Sequence, residues 1–272
     1  MCAKILRLIL AWRTMSAIAP TILALDFDGV LCDGLLEYFQ TAWRTYCQIW
    51  TPENATPPEN LAENFYLRRP VIEVGWEMPV AIRALILGIP EEKMLQDWST
   101  VARTILAEDN LDASDIAMKL DNIRDEWIAS DLESWLALHR FYPGVVDKLN
   151  SLQGTPVQIY IVTTKEGRFV RQLLQQQGID LPEQFILGKE NRRPKYEILR
   201  ELISDRTISL WFVEDRLKTL QVVQQQPDLN DIGLYLADWG YNTPQQREAV
   251  RHNERIKLLS LSQFAQDFSA WS

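Results

Sequence analysis

Cysteine is scarce in this 272-residue chain: Cys2, Cys32 and Cys47 are the only three, and no CxxC pair occurs. An odd number without paired spacing excludes a disulfide framework and a CxxC zinc site, and places the expected compartment in the reducing cytoplasm. Histidine is scarcer still. His139 and His252 stand alone, neither at ligand spacing from a second histidine, and neither lies near Cys32 to activate it as a nucleophile. Both read as structural or exposed, and Cys32 as a packed small residue. Positive charge is in deficit, with 28 Lys and Arg against 37 Asp and Glu and a net charge of −9. Such a chain lacks the basic face that general nucleic-acid binding requires, so no nucleic-acid partner is expected. A small anion is not excluded, because one cation or metal inverts the field locally. No apolar run reaches the roughly 18 residues of a membrane helix, so no membrane partner is expected. The apolar stretch near the start is interrupted by Lys4 and Arg7 and has no clean cleavage site. Residues 1–14 therefore read as an N-terminal extension rather than a signal peptide, with Met15 as an alternative start.

What is present suits a packed α/β protein. Hydrophobic residues make up 47% and charged residues 24% of the chain, enough for one large domain or a core with an insertion. Five segments read as buried parallel strands: Thr21–Asp26, Val157–Thr163, Gln184–Leu187, Ile208–Glu214 and Ile232–Ala237. Helical patterns separate the later ones, at Gly144–Leu152, Arg168–Gln177, Pro194–Ile203 and Leu217–Gln226. Alternating strands and helices imply a Rossmann-like, doubly wound parallel sheet. Between Gly34 and Arg140 no strand is expected and four helices are: Leu35–Trp50, Val71–Leu87, Glu91–Glu108 and Asp112–Leu138. The proline-rich Thr51–Asn60 separates the first two. Six of the ten tryptophans lie in this stretch, at 43, 50, 76, 98, 127 and 135, as filling for a separate helical core. The expected organisation is an α/β core of 15–33 and 141–272 with an inserted all-helical domain at 34–140.

Ligands of an open parallel sheet bind beyond the carboxyl ends of its strands. The first strand ends in Asp26-Phe27-Asp28-Gly29, the second in Thr163-Thr164-Lys165, and the fourth in Glu214-Asp215-Arg216. The segment after the third carries Lys189, Arg192, Arg193 and Lys195. Several carboxylates, a hydroxyl and a lysine at one edge form an inventory for metal-assisted phosphoryl transfer. Carboxylate and carbonyl oxygens suit Mg²⁺, which neutralises charge on the transferring group. Lysine and threonine donate to phosphoryl oxygens. An aspartate can itself be phosphorylated, and a second acid two residues on can protonate the leaving oxygen.

The motif LDFDGVL at 25–31 resembles the first motif of the haloacid dehalogenase-like hydrolase superfamily, whose pattern is DxDG. VQIYIVT ending at Thr163, Lys195 in RRPKYEIL, and WFVED ending in Glu214-Asp215 resemble its second, third and fourth motifs, in order. The resemblance implies a Rossmann-like core with a type 1 helical cap inserted after the first motif. It implies Asp26 as nucleophile and metal ligand, with Asp28 as general acid/base and, through its carbonyl, a further ligand. Thr163 and Lys195 would act at the phosphoryl group, alongside Gly29. Asp215 would bind Mg²⁺, with Glu214 a direct or water-mediated partner. Two positions depart from the pattern. Lys195 follows Pro194 instead of preceding a proline, leaving Lys189 as a second candidate, and Thr219 stands where many members carry another aspartate. The activity implied is a Mg²⁺-dependent phosphatase for a small phosphorylated metabolite, phosphoglycolate-like or a sugar phosphate. Alternatives are a phosphomutase with the same residues, a 2-haloacid dehalogenase, which Asp28 disfavours, and a catalytically idle binding protein. Arg68-Arg69 reads as a solvated pair, with contact to a substrate anion as the alternative, and Asp238–Tyr241 as either a cleft rim or packing.

Overall fold

A computed structural model describes residues 19–203 and 208–271 of the chain. The expected N-terminal extension, 1–14, lies outside the described residues. The chain divides into two compact units: one made by the residues up to Cys32 and from Phe141 onward, the other by Asp33–Arg140.

The first unit is built on six strands: β1 Ile22–Leu25, β4 Gln158–Val162, β5 Ile186–Leu187, β6 Leu210–Glu214, β7 Gly233–Ala237 and β8 Ile256–Leu259. They form one sheet in the order β5-β4-β1-β6-β7-β8, all neighbours parallel. Two-residue strands at Cys32–Asp33 (β2) and Arg140–Phe141 (β3) mark where the chain passes between the units. From β1 the chain moves outward through β4 to β5, then returns past β1 and moves the other way through β6, β7 and β8. The winding reverses between β1 and β6, and right-handed crossovers put the connecting helices of the two halves on opposite faces. This is the topological switch point where such sheets bind ligands.

Strand periodicity sorts the core into two layers. Ile22, Ala24, Leu210, Phe212, Leu234 and Leu236 point to one face and pack with Ile198 and Leu199 of one helix and Leu217, Leu220 and Val223 of another. Trp211 and Tyr235, one residue out of phase, meet each other and the C-terminal Trp271, and Trp271 in turn packs with Phe264 and Phe268, with ring centroids 5.1–5.7 Å apart.

The second unit is helical: α1 Leu35–Trp50, α2 Leu61–Arg68, α3 Glu77–Ile86, α4 Glu91–Gln96, α5 Trp98–Glu108, α6 Ala113–Ser130 and α7 Leu132–Leu136. Four of its six tryptophans (43, 98, 127 and 135) are buried and two are half-buried. Glu37 is its buried polar hub. The carboxylate accepts hydrogen bonds from Thr41 Oγ1 at 2.7 Å, Arg124 Nε at 2.8 Å and Trp135 Nε1 at 3.1 Å, which satisfies a charge that would otherwise be costly to bury.

Several sequence expectations are corrected. The 91–108 and 112–138 patterns each split in two. Asp97 and Asp131 leave helical geometry and cap the next helix, accepting from Thr100 N and Ser134 N, because a local side-chain cap competes with helix continuation. The expected Val71–Leu87 helix starts only at Glu77. Pro70 sits in a 3₁₀ turn at Arg69–Val71, and the Glu77 carboxylate instead accepts from the amides of Glu73 and Val74. The helix Leu61–Arg68 was not expected, nor was β8 at the sheet edge, where exposed Lys257 and half-buried Leu258 stand between buried Ile256 and Leu259 and no continuous apolar run is left to read. The helix expected from Pro194 begins at Lys195, with Pro194 at its N-cap.

The remaining helices of the first unit are α8 Val145–Leu152, α9 Gly167–Gln176, α10 Lys195–Leu202, α11 Leu217–Gln224, α12 Pro244–Arg251 and α13 Leu261–Phe264. No helix among the described residues is long and apolar enough to cross a membrane.

Candidate active site

The switch point carries the acidic residues. Leu25 pairs in register with Val213, so the next residue, Asp26, stands level with Glu214, and its amide donates to Val213 O at 2.9 Å. Asp215 follows. Asp26, Glu214 and Asp215 are all buried, and each offers one carboxylate oxygen to a group lying within 4.8 Å of one another. Lys195, at the start of α10, reaches between them, its Nζ 2.8 Å from Asp26 Oδ2 and 2.7 Å from Glu214 Oε2. The other oxygens of these two residues are fixed by backbone amides: Phe27 N donates to Asp26 Oδ1 at 2.7 Å, and Arg216 N to Glu214 Oε1 at 2.9 Å.

Three carboxylates against one ammonium leave two negative charges when all are ionised. Burial and then the charge of Glu214 push the Asp26 pKa up to about 7, with Lys195 only partly offsetting them. Glu214 and Asp215 are raised as well, chiefly by burial. Burial alone would lower the lysine; the two carboxylates override it and hold Lys195 above the ordinary lysine value. The donor set therefore fits a hard divalent cation, which takes oxygen ligands and supplies the missing positive charge.

A pH dependence follows. A carboxyl group with a raised folded pKa contributes stability that is present below its unfolded value and lost as pH rises through the folded one. The metal-free protein is expected to lose stability between about pH 4 and pH 7 through Asp26, and added Mg²⁺ is expected to restore most of that loss at pH 7.5. Chemical denaturation at three pH values, with and without the ion, measures both.

Asp215 is held from a segment that sequence reasoning left undecided. Tyr241 N donates to Asp215 Oδ2 at 2.8 Å, and Asn242 Nδ2 donates to Asp215 O at 3.0 Å and to Ala237 O at 2.7 Å. Gly240 and Gly29 lie against the same aspartate. Gly29 has φ +85° and a Cβ there would overlap the Asp215 carboxylate; a Cβ on Gly240 would overlap Asp215 and Gly29 O. Gly240 has no positive φ, so Gly240→Ala tests the steric effect alone. It is expected to weaken Mg²⁺ binding at least ~10-fold by displacing Asp215, in the range that perturbing a ligand's support produces, as read by isothermal titration calorimetry.

Thr163 directly follows β4, buried, its amide bonded to Leu187 O at 3.1 Å and its Oγ1 accepting from Lys165 N at 3.1 Å. Asp28 stands apart from the three-carboxylate group; its two oxygens lie 3.2 and 3.4 Å from Lys165 Nζ. Of the two candidate lysines, Lys195 is the one against Asp26, whereas Lys189 is exposed on the segment after β5. Thr219 lies inside α11. Arg68, in the helical unit, is buried and bonded to Asn64 and Glu91 rather than solvated, and Arg69 lies over the Tyr38 ring. His139 is buried against Trp135 O, and His252 is exposed. Sequence reasoning missed Asn242, the role of Tyr241 and the Lys165–Asp28 pair. The signal available for the first two was their place just past the end of β7.

No protein-family model matches the sequence, and no curated protein sequence matches it. Solved structures do. A haloacid dehalogenase-like family hydrolase from Streptococcus pneumoniae is 12% identical over 90% of this chain and 95% of its own, with a TM-score of 0.53. A predicted phosphoglycolate phosphatase from Haemophilus somnus is 15% identical over 92% and 95%, with a TM-score of 0.54. A predicted phosphatase from Clostridium acetobutylicum is 13% identical over 90% and 96%, with a TM-score of 0.52. The chain thus has the α/β fold of haloacid dehalogenase-like hydrolases, a fold it shares along nearly its whole length.

Proposed function

We propose that the protein is a haloacid dehalogenase-like hydrolase that removes phosphate from a small phosphorylated metabolite. The observation that carries this reading is the buried group of Asp26, Glu214 and Asp215 around Lys195 at the sheet's switch point. Fold alone does not fix function, but this residue set on this fold is suited to phosphoryl transfer.

In the proposed reaction Asp26 Oδ attacks phosphorus, the P–O ester bond breaks, and its electron pair leaves on the ester oxygen, which takes a proton from Asp28. The Asp28 carboxylate then accepts a proton from water as the water oxygen attacks phosphorus and releases Asp26. Thr163 and Lys195 donate to phosphoryl oxygens, and Lys195 holds Asp26 in place. Asp26, Asp215 and the Asp28 carbonyl would hold Mg²⁺, with Glu214 beside them; the ion supplies charge neutralisation for the transferring group. The Asp33–Arg140 unit is assigned as the cap that sets selectivity. Phosphoglycolate-like esters and sugar phosphates are the first substrates to try, the former also supported by the description of the Haemophilus structure.

A panel of phosphorylated metabolites assayed for free phosphate tests the reading. Turnover of at least one ester with Mg²⁺, abolished by exhaustive chelation and restored by the ion, is expected. Phosphate release from none of them, or release unaffected by chelation, contradicts it.

A further inference from the structure

Asp28 lies only two residues from Asp26 on the loop that follows β1, yet its carboxylate is not part of the Asp26–Glu214–Asp215 group. A divalent cation attracts every carboxylate within reach, and the attraction is strong where water is excluded. Something must therefore keep Asp28 aside. Lys165 stands where it can do so. Its side chain is 9% exposed and that of Asp28 18%, and its Nζ sits astride both Asp28 oxygens.

The lysine is anchored in a way that a solvated surface lysine is not. Its amide donates to Thr163 Oγ1 at 3.1 Å, and its carbonyl accepts from Lys189 N at 2.9 Å. Gly188 approaches that carbonyl so closely that a Cβ there would lie 2.7 Å from Lys165 O. Glu190 accepts from Gly167 N at 3.1 Å, closing the far end of the same loop. The segment after β5 thus clamps the loop after β4, and the clamp fixes where the Lys165 stem begins.

We propose that Lys165 is a positioning residue that holds the Asp28 carboxylate clear of the cation-binding group and orients it toward the leaving oxygen of the substrate. The proposal rests on the phosphoryl-transfer reading of the site. It assigns Lys165 a role distinct from that of Lys195, which belongs to Asp26 and Glu214.

The test compares two esters and one binding measurement. p-Nitrophenyl phosphate expels its leaving group without a proton, whereas glycerol 2-phosphate needs one. Lys165→Met is expected to lower kcat for glycerol 2-phosphate at least ~10-fold, within the range of general acid catalysis, with KM changed by less than about 3-fold. The loss on p-nitrophenyl phosphate is expected to be far smaller, and Lys165→Arg is expected to recover most of the rate. Calorimetric titration with Mg²⁺ is expected to show several-fold tighter binding to Lys165→Met, where Asp28 is released toward the ion. The double variant Lys165→Met/Asp28→Asn should return to the wild-type affinity. Equal losses on both esters, a rise in KM alone, or unchanged Mg²⁺ affinity in a variant with native circular dichroism overturns the proposal. If the wild type hydrolyses neither ester, the phosphoryl-transfer reading fails by itself, while the calorimetric comparison still reads the Lys165–Asp28 device.

Discussion

Asp26→Asn is expected to lower phosphate release by about 10³-fold or more, because an amide cannot serve as the attacking oxygen. The fold should survive the change. Asp26 is one of three buried carboxylates sharing one lysine, and its pKa lies near 7 through burial and the charge of Glu214. Replacing it with a neutral isostere removes repulsion, and Lys195 keeps Glu214 as a partner at 2.7 Å. Thermal unfolding of the metal-free variant at pH 7.5 should occur at or above the wild-type temperature. The two readouts move in opposite directions, which a merely disruptive substitution would not do. Activity near the wild-type level with p-nitrophenyl phosphate would remove Asp26 from the chemistry.

The second large effect is expected at Lys195. Lys195→Met keeps the stem and deletes the ammonium that touches two buried carboxylates. Breaking a buried ion pair from one side costs roughly 3–5 kcal/mol, because the remaining charge stays buried without a partner. Here two such charges remain. The cost should be largest above pH 7, where Asp26 ionises, and should shrink toward pH 5, where the carboxyl groups can take up protons instead. Phosphate release should fall together with stability. Urea titrations at pH 5 and pH 8 separate this account from simple loss of packing, which would destabilise equally at both.

The α/β class was legible because its strands are unusually plain. ILAL within TILALD and LWFV within ISLWFVE are continuous apolar runs of the kind that a strand covered on both faces sustains. The edge strand Ile256–Leu259 was not legible because one residue in its middle, Lys257, faces solvent. The helical boundaries failed at Asp97 and Asp131, where a three-residue capping pattern sits inside a longer apolar periodicity and the cap prevails. Within the candidate site, Asp26, Glu214 and Asp215 could be singled out because each ends or directly follows a strand, and strand ends converge in a parallel sheet. The support of Asp215 by Tyr241 and Asn242 could not be read in the same way. It depends on β6 lying beside β7 and on the turn that follows β7 folding back, neither of which leaves a mark on residue type. The Lys165–Asp28 pair likewise needs β4 to lie beside β1, and a lysine after a strand is otherwise an ordinary solvated residue.

In the proposed reaction the substrate's phosphoryl group rests on Asp26 during turnover. Rapid acid quench of the enzyme with Mg²⁺ and a turned-over ester, followed by mass spectrometry of its peptides, tests it directly. One phosphoryl group is expected on the peptide containing Asp26, formed within the first turnover and missing from Asp26→Asn. An active enzyme whose Asp26 peptide stays unmodified from the first turnover to steady state, or one that carries the phosphoryl group elsewhere, would contradict it.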